Sequence, residues 1–201
     1  MVRQSSIRFL LLAMSFTAIT HLYGQHLANA MLPPYKFAIT HLDSHIETIH
    51  ISVIHQYNQK YLQFDCALSR QFFIGNHFFL LDHTIVNSSS VALDFVLQPI
   101  VIFLTLTLSW PARLFREYIF RISLGGPLIF AWMLLDFPMQ SIYLLWNNVE
   151  KELGTSGNAQ GLLLFWNDFL NGGGLMAISI GISIATISIT SSVLNPKFNR
   201  I

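Results

Sequence analysis

Long apolar stretches alternate with polar segments along the chain. A helix that spans a bilayer needs about 20 predominantly apolar residues. Four stretches reach this length, and they lie at residues 9–31, 91–110, 122–146 and within 161–194. The pattern therefore predicts a membrane α-helical protein with about four transmembrane helices.

The first stretch, residues 1–31, has two interpretations. Arg3 and Arg8 precede its apolar core, and Ala28-Asn29-Ala30 resembles a signal-peptidase site. We favour an uncleaved signal anchor, because the polar tail after the apolar core is longer than is usual for a signal peptide. A cleaved signal peptide is the alternative, and it leaves the orientation of the other three spans unchanged.

The fourth stretch combines two periodicities. Isoleucines alternate with small residues from Ile178 to Ala185, as in a strand, but residues 170–195 carry no charge. An isolated strand in lipid would leave its backbone groups unpaired, so a helix is predicted. Small residues then follow one another at i+4 steps and predict a helix-packing stripe at Gly173, Ala177, Gly181 and Ala185. The alternative is that small residues are simply common in membrane helices.

The segment at residues 32–90 is more polar than its flanks. Ile49, Ile51 and Val53 alternate with polar residues, which predicts a strand. Further strands are predicted at 61–68 and 78–86, with a turn at Gly75-Asn76. The sequence therefore predicts a small external β-rich segment between helices 1 and 2, followed by a three-helix transmembrane region at 91–201.

Composition agrees with this class of protein. Only 10% of the 201 residues are charged, against about 25% in soluble domains. The net charge of +1 and the 53% hydrophobic content exclude a nucleic-acid partner.

The few charges also predict an orientation. Basic residues concentrate in cytoplasmic segments of membrane proteins. Placing both termini in the cytoplasm puts seven basic residues inside, namely Arg3, Arg8, Arg113, Arg116, Arg121, Lys197 and Arg200. Four then lie outside, namely Lys36, Lys60, Arg70 and Lys151. The segment 110–116 combines aromatic and basic residues and predicts an interfacial anchor in contact with membrane lipid.

Acids within or beside the spans are the first candidates for a site. Asp94, Asp136 and Asp168 all fall in the predicted outer half of the bilayer. Four amide side chains accompany them, at Gln98, Gln140, Asn167 and Asn171. Intramembrane acids are costly, so these seven residues predict a polar pocket or partner-binding site. Hydrogen bonding between helices, without a functional role, is the alternative.

The external segment holds Cys66, and seven of the eight histidines lie between His26 and His83, six of them within this segment. Cys66 with Arg70 and His77 has the residue types of a thiol nucleophile, a base and an oxyanion stabiliser. No local motif accompanies them, and a lone cysteine is more often a small buried apolar residue. The histidines lack a His-Glu-x-x-His pattern. We therefore predict no catalytic residue, no metal site and no cofactor.

The second half of the chain resembles a known family. Trp110-Pro111-Ala112-Arg113, Gly125-Gly126-Pro127-Leu128 and the run from Trp166 to Gly174 resemble exosortase H-associated membrane proteins of the bacterial inner membrane. The resemblance covers about half the chain, from Val91 onward. It implies an accessory protein beside a membrane-embedded sortase-like transpeptidase, whose Cys, Arg and His motif is not found in this sequence.

These inferences lead to one functional expectation and one alternative. We expect a non-catalytic accessory protein of envelope protein sorting or processing that binds or presents a partner, either the transpeptidase or its substrate protein. The alternative is a membrane enzyme or transporter subunit that uses Asp94, Asp136 and Asp168.

Overall fold

A computed structural model describes residues 2–43, 46–56, 59–68, 72–74, 77–79, 86–112, 114–153 and 161–194 of the chain. The chain divides into two compact units. The helical unit comprises Met1–Gly24, Leu97–Met133 and Gly173–Ile201. The sheet unit comprises Gln25–Val96 and Leu134–Gly172.

The fold is mostly helical, with a sheet inserted after the first helix. The helices are α1 (Val2–Leu42), α2 (Leu93–Ser109), α3 (Phe115–Leu153), α4 (Gly161–Phe169) and α5 (Leu175–Leu194). Within the described ranges, three segments are long and apolar enough to cross a membrane, Ser6–Leu42, Phe115–Val149 and Leu163–Leu194. The apolar helix α2 is shorter, at 17 residues. These segments indicate a multi-pass membrane protein.

Helix α1 continues beyond the predicted end of its span at Met31. It runs through Pro33 and Pro34 to Leu42, although prolines inside a helix remove backbone hydrogen bonds. Ala28, Met31, Tyr35 and Ile39 are all buried and recur at steps of three or four residues. Packing of this face therefore maintains the helix past the predicted boundary at residue 31 and through the proline pair.

The fourth predicted span is helical but interrupted. Helix α4 ends at Phe169, and an irregular turn at Leu170–Gly174 separates it from α5. Gly173 has φ of 104° and ψ of 0°, which side chains with a Cβ rarely adopt. The helix prediction over the alternating isoleucines is confirmed, since residues of that run lie within α5.

A three-stranded antiparallel sheet lies between α1 and α2. Its strands are β1 (Ile46–Gln56), β2 (Gln59–Leu68) and β5 (Val86–Ala92), in the order β1-β2-β5. The short strands β3 (Phe72–Ile74) and β4 (His77–Phe79) form a separate antiparallel pair. Strand β5 includes Val91 and Ala92, so α2 begins later than the predicted span.

The sheet agrees with two of the three predicted strands. The predicted strand at 49–53 lies within β1, and that at 61–68 lies within β2. The third prediction, 78–86, overlaps only the end of β4 and the first residue of β5. Residues 80–85 and the predicted turn at Gly75-Asn76 lie outside the described residues.

The two sides of the sheet differ in character. On the central strand β2, Leu62, Phe64 and Cys66 are buried, whereas Gln63 and Asp65 between them are partly exposed. Such alternation places successive side chains on opposite sides. One side of the sheet therefore packs into the core of the sheet unit, and the other side is polar.

Candidate functional site

Six of the seven residues predicted to form a polar pocket lie in the sheet unit, and Gln98 lies half-buried in the helical unit. Within the sheet unit, Asp94, Asp168 and Asn171 are exposed, and Gln140 and Asn167 are half-buried. No hydrogen bond or ion pair joins these six described residues to one another. Hydrogen bonds and ion pairs between these described residues therefore do not connect them, and the polar pocket stays a prediction.

Asp136 is the exception, since only 4% of its surface is exposed. Its neighbour Phe137 packs against Tyr35 of α1, with the ring centroids 4.5 Å apart. The Tyr35 hydroxyl donates to the sulfur of Met31 at 3.7 Å. Among the described residues, Asp136 Oδ1 has no hydrogen-bond partner, which is costly for a buried polar atom.

The polar side of the sheet forms two rows across its three strands. The strand register places Asp65 between His50 and Ser88, and Gln63 between Ser52 and Ser90. Asp65 Oδ1 accepts hydrogen bonds from Gln63 Nε2 and Ser88 Oγ, both at 2.7 Å. These bonds fix the Asp65 carboxylate, while His50, Ser88 and Ser90 remain exposed. The rows form a polar surface on which a partner can make hydrogen bonds.

Strand β1 lies at one edge of this sheet. It has 11 residues and, among the described strands, pairs only with β2, on one side. Along it, His50, His55 and Gln56 are exposed. The unpaired backbone groups of an edge strand can bind another extended chain. Strand β1 and the two polar rows are together called the sheet surface below. Sequence alternation predicted the strand but gave no information on strand order.

Cys66 is on the opposite side of the sheet from this surface. The residue is fully buried, and burial raises the pKa of its thiol to about 12, with the charge of Asp65 acting in the same direction. A thiol with a raised pKa is a poor nucleophile because it remains protonated. The small, buried apolar interpretation of Cys66 therefore fits its surroundings.

The histidines do not form a metal site among the described residues. No group of three or more His, Cys, Asp or Glu side chains is placed there to hold a metal ion. His41 instead interacts with the Phe37 carbonyl at 2.8 Å within α1. His45, His77 and His83 have side chains outside the described ones.

A buried ion pair in the helical unit was not predicted. Arg121 of α3 has 1% exposure and lies 3.6 Å from the carboxylate of Glu117. Its guanidinium donates to the carbonyls of Thr107 at 3.2 Å, Trp110 at 2.9 Å and Pro111 at 3.4 Å. A cation at a helix C-terminus and an acid at a helix N-terminus both interact favourably with the helix dipoles. The pair therefore joins the end of α2 to the start of α3.

The side of α5 that carries the predicted packing stripe is not the side that packs against the rest of this chain. Ala177, Gly181 and Ala185 are exposed, and a Cβ built on Gly181 meets no atom within 4 Å. The buried side instead carries Leu175, Ser179, Ser183, Thr186, Ile187 and Thr190. Each of its four hydroxyls donates to the carbonyl four residues earlier, at 2.7–2.8 Å. These bonds satisfy the hydroxyls, so the side chains pack as small residues.

Charge is distributed unequally between the two units. The helical unit contains one acidic residue, Glu117, and seven basic residues, Arg3, Arg8, Arg113, Arg116, Arg121, Lys197 and Arg200. The sheet unit contains four basic residues and nine acidic residues. The seven basic residues of the helical unit are the seven assigned to the cytoplasm by the sequence.

Comparisons with protein-family models, with curated proteins and with solved structures find no match to this chain. The fold therefore identifies only the class of protein. It is a multi-pass membrane protein with a sheet inserted between its first two helices.

Proposed function

We propose that this chain is a non-catalytic accessory protein of the bacterial inner membrane that binds an extended segment of an envelope protein on its sheet surface. The observation that carries the proposal is strand β1, an 11-residue edge strand next to two rows of polar side chains. An edge strand supplies backbone affinity for a partner chain, and exposed side chains supply selectivity.

The proposal includes four membrane crossings, with α2 as the fourth. A helix of 17 residues is about 25 Å long, close to the thickness of the hydrocarbon core. The hydrogen bonds from Arg121 hold the C-terminus of α2 at the N-terminus of α3. A short connection of this kind joins antiparallel helices, which supports α2 and α3 as successive spans.

The proposed orientation has both chain termini and the α2–α3 connection in the cytoplasm. Its support is the segregation of charge, because the helical unit has seven basic residues and one acid. This orientation places the sheet surface in the periplasm, where envelope proteins are processed.

The role in protein sorting is the most specific part of the proposal. It rests on the resemblance of residues 91–174 to exosortase H-associated membrane proteins. The partner is then a sortase-like membrane transpeptidase or the tail of its substrate.

Site-specific crosslinking tests the proposal. A photoreactive amino acid at His55, on the exposed edge strand, should trap an envelope protein or a membrane transpeptidase in living cells. The same amino acid at Lys151, at the exposed end of α3, is the matched control and should not trap that partner. The proposal is contradicted if both positions trap the partner equally. It is also contradicted if the probe at His55 traps no envelope protein and no membrane transpeptidase.

The buried carboxyl of Asp136 favours a second candidate, a membrane enzyme or transporter subunit. A buried acid in a candidate span is costly to maintain and typical of functional sites. If this candidate is right, Asp136→Asn abolishes the protein's function in the cell envelope while the protein level stays normal. Asp94→Asn, at an exposed site, then has little effect. Under the accessory role, Asp136→Asn retains function.

A further inference from the structure

The connection between α2 and α3 exposes large apolar side chains. Trp110, Leu114 and Phe115 are each more than half exposed, with Phe115 at 77%. Amphipathic aromatic residues such as Trp concentrate at the level of lipid headgroups. This end of the helical unit therefore has the side chains of a membrane–water interface.

Arg8 of α1 is held at the same end by an aromatic ring. Its guanidinium carbon lies 5.6 Å from the ring centroid of Tyr118 in α3. The Tyr118 hydroxyl accepts a hydrogen bond from the Ala112 amide at 3.3 Å, which fixes the ring against the connection. Arg121 lies 5.4 Å from the same ring centroid. A cation–π contact thus orients the exposed Arg8 side chain.

The helical unit provides no carboxylate for Arg8. Glu117 is its only acidic residue, has 3% exposure and forms the ion pair with Arg121. Arg8 and Arg116 are both exposed, and no ion pair is formed by either among the described residues. No acidic side chain among the described residues of this unit therefore neutralises these two arginines, which leaves them available to an external anion.

We propose that Arg8 and Tyr118 form a binding site for the phosphate headgroup of an anionic phospholipid. Arg8 binds the phosphodiester, and Arg116 adds positive charge. Trp110 and Phe115 lie at the boundary between headgroups and acyl chains. Tyr118 is a positioning residue, because its ring holds the arginine rather than contacting the lipid. This site is independent of the sheet surface, which lies in the other unit.

Lipid competition on the full chain tests this site. The protein in detergent is mixed with phosphatidylglycerol and phosphatidylcholine of identical acyl chains, and bound lipid is counted by native mass spectrometry. The wild type should prefer phosphatidylglycerol. Arg8→Gln should lower the preference about fivefold, as expected for one basic residue near anionic lipid, and Arg8→Gln with Arg116→Gln by about 25-fold.

Variants of Tyr118 distinguish a built site from a merely positive surface. Tyr118→Leu should lower the preference as Arg8→Gln does, while Tyr118→Phe, which keeps the ring, should retain it. Lys151→Gln in the sheet unit is the charge-matched control and should have no effect. Thermal unfolding of each variant tests whether a lower preference for phosphatidylglycerol is caused by loss of folding.

Three outcomes overturn the proposal. The first is equal binding of the two lipids by the wild type. The second is an unchanged preference in Arg8→Gln. The third is displacement of phosphatidylglycerol by millimolar inorganic phosphate, which would identify a site for free phosphate instead of lipid.

Discussion

At the scale of single residues, burial decides the chemistry that a side chain can perform. Cys66 is fully buried on the central strand of the sheet, beside Leu62 and Phe64 in the alternating pattern. Burial raises the pKa of its thiol to about 12, well above the ordinary value of a cysteine. The thiol therefore stays protonated at neutral pH and contributes packing rather than reactivity.

Cys66 should resist alkylation in the folded protein. At pH 8, N-ethylmaleimide should label it only after denaturation, as measured by intact mass. Because the folded pKa lies above the unfolded value, the stability contributed by the neutral thiol is full below pH 9 and declines as pH rises toward 12. Rapid labelling of the folded protein at pH 8 would contradict this environment.

Gly125 should be intolerant of a side chain, and its neighbour offers a matched control. A Cβ on Gly125 would overlap the buried ring of Phe103 and lie 2.9 Å from Thr186 Oγ1. We expect Gly125→Ala to lower the free energy of unfolding by about 1–3 kcal/mol. Gly126→Ala, whose Cβ meets no atom within 4 Å, should cause no loss. Unfolding in detergent, followed by circular dichroism, measures the stability of both variants. Equal stability would show that α3 does not approach α2 and α5 so closely at Gly125.

Some of this residue-level chemistry could be predicted from the sequence, and some could not. Strands β1 and β2 were predictable because apolar and polar residues alternate in 49–53 and 61–68. Sequence spacing also identified Asp136 but not its burial, because the adjacent Phe137 packs against Tyr35, which is distant in sequence. Asp94 and Asp168 have similar sequence surroundings and are exposed.

At the scale of elements, tertiary contacts override local signals. Helix α1 passes Pro33 and Pro34 because its face from Ala28 to Ile39 is buried. Helix α5 packs by its serines and threonines rather than by its glycine and alanine stripe. The glycines and alanines recur at steps of four, and the buried serines and threonines recur at steps of three or four. Since both kinds of residue are small and periodic, the sequence alone did not distinguish the packed side from the exposed side.

The connection between α2 and α3 should depend on Arg121. Arg121→Met removes one hydrogen bond to α2, at the Thr107 carbonyl, and two to the connection, at the Trp110 and Pro111 carbonyls. It also removes the ion pair between Arg121 and the buried Glu117. Breaking one side of a buried pair costs about 3–5 kcal/mol, and we expect a loss of this size in the free energy of unfolding.

Arg116→Gln is the control for this variant, since Arg116 is exposed and its loss should change stability by less than about 0.5 kcal/mol. Denaturant unfolding of the purified protein in micelles measures the difference. Indistinguishable midpoints for the two variants would show that Arg121 does not secure the connection.

At the scale of the whole molecule, the distribution of charge links fold to topology. Seven basic residues and one acid lie in the helical unit, and nine acids lie in the sheet unit. Basic residues are retained on the cytoplasmic side during insertion. In the proposed orientation, the basic end of the helical unit faces the cytoplasm and is proposed to bind anionic lipid, and the sheet surface faces the periplasm and is proposed to bind a partner.

Cysteine accessibility tests this central claim most directly. Ser90→Cys lies on the exposed side of β5, and Leu114→Cys lies in the exposed α2–α3 connection, while the buried Cys66 of the wild type serves as the unlabelled background. A membrane-impermeant maleimide should label Ser90→Cys in intact spheroplasts and Leu114→Cys only after permeabilisation. Labelling of Leu114→Cys in intact spheroplasts, with Ser90→Cys protected until permeabilisation, would contradict the account.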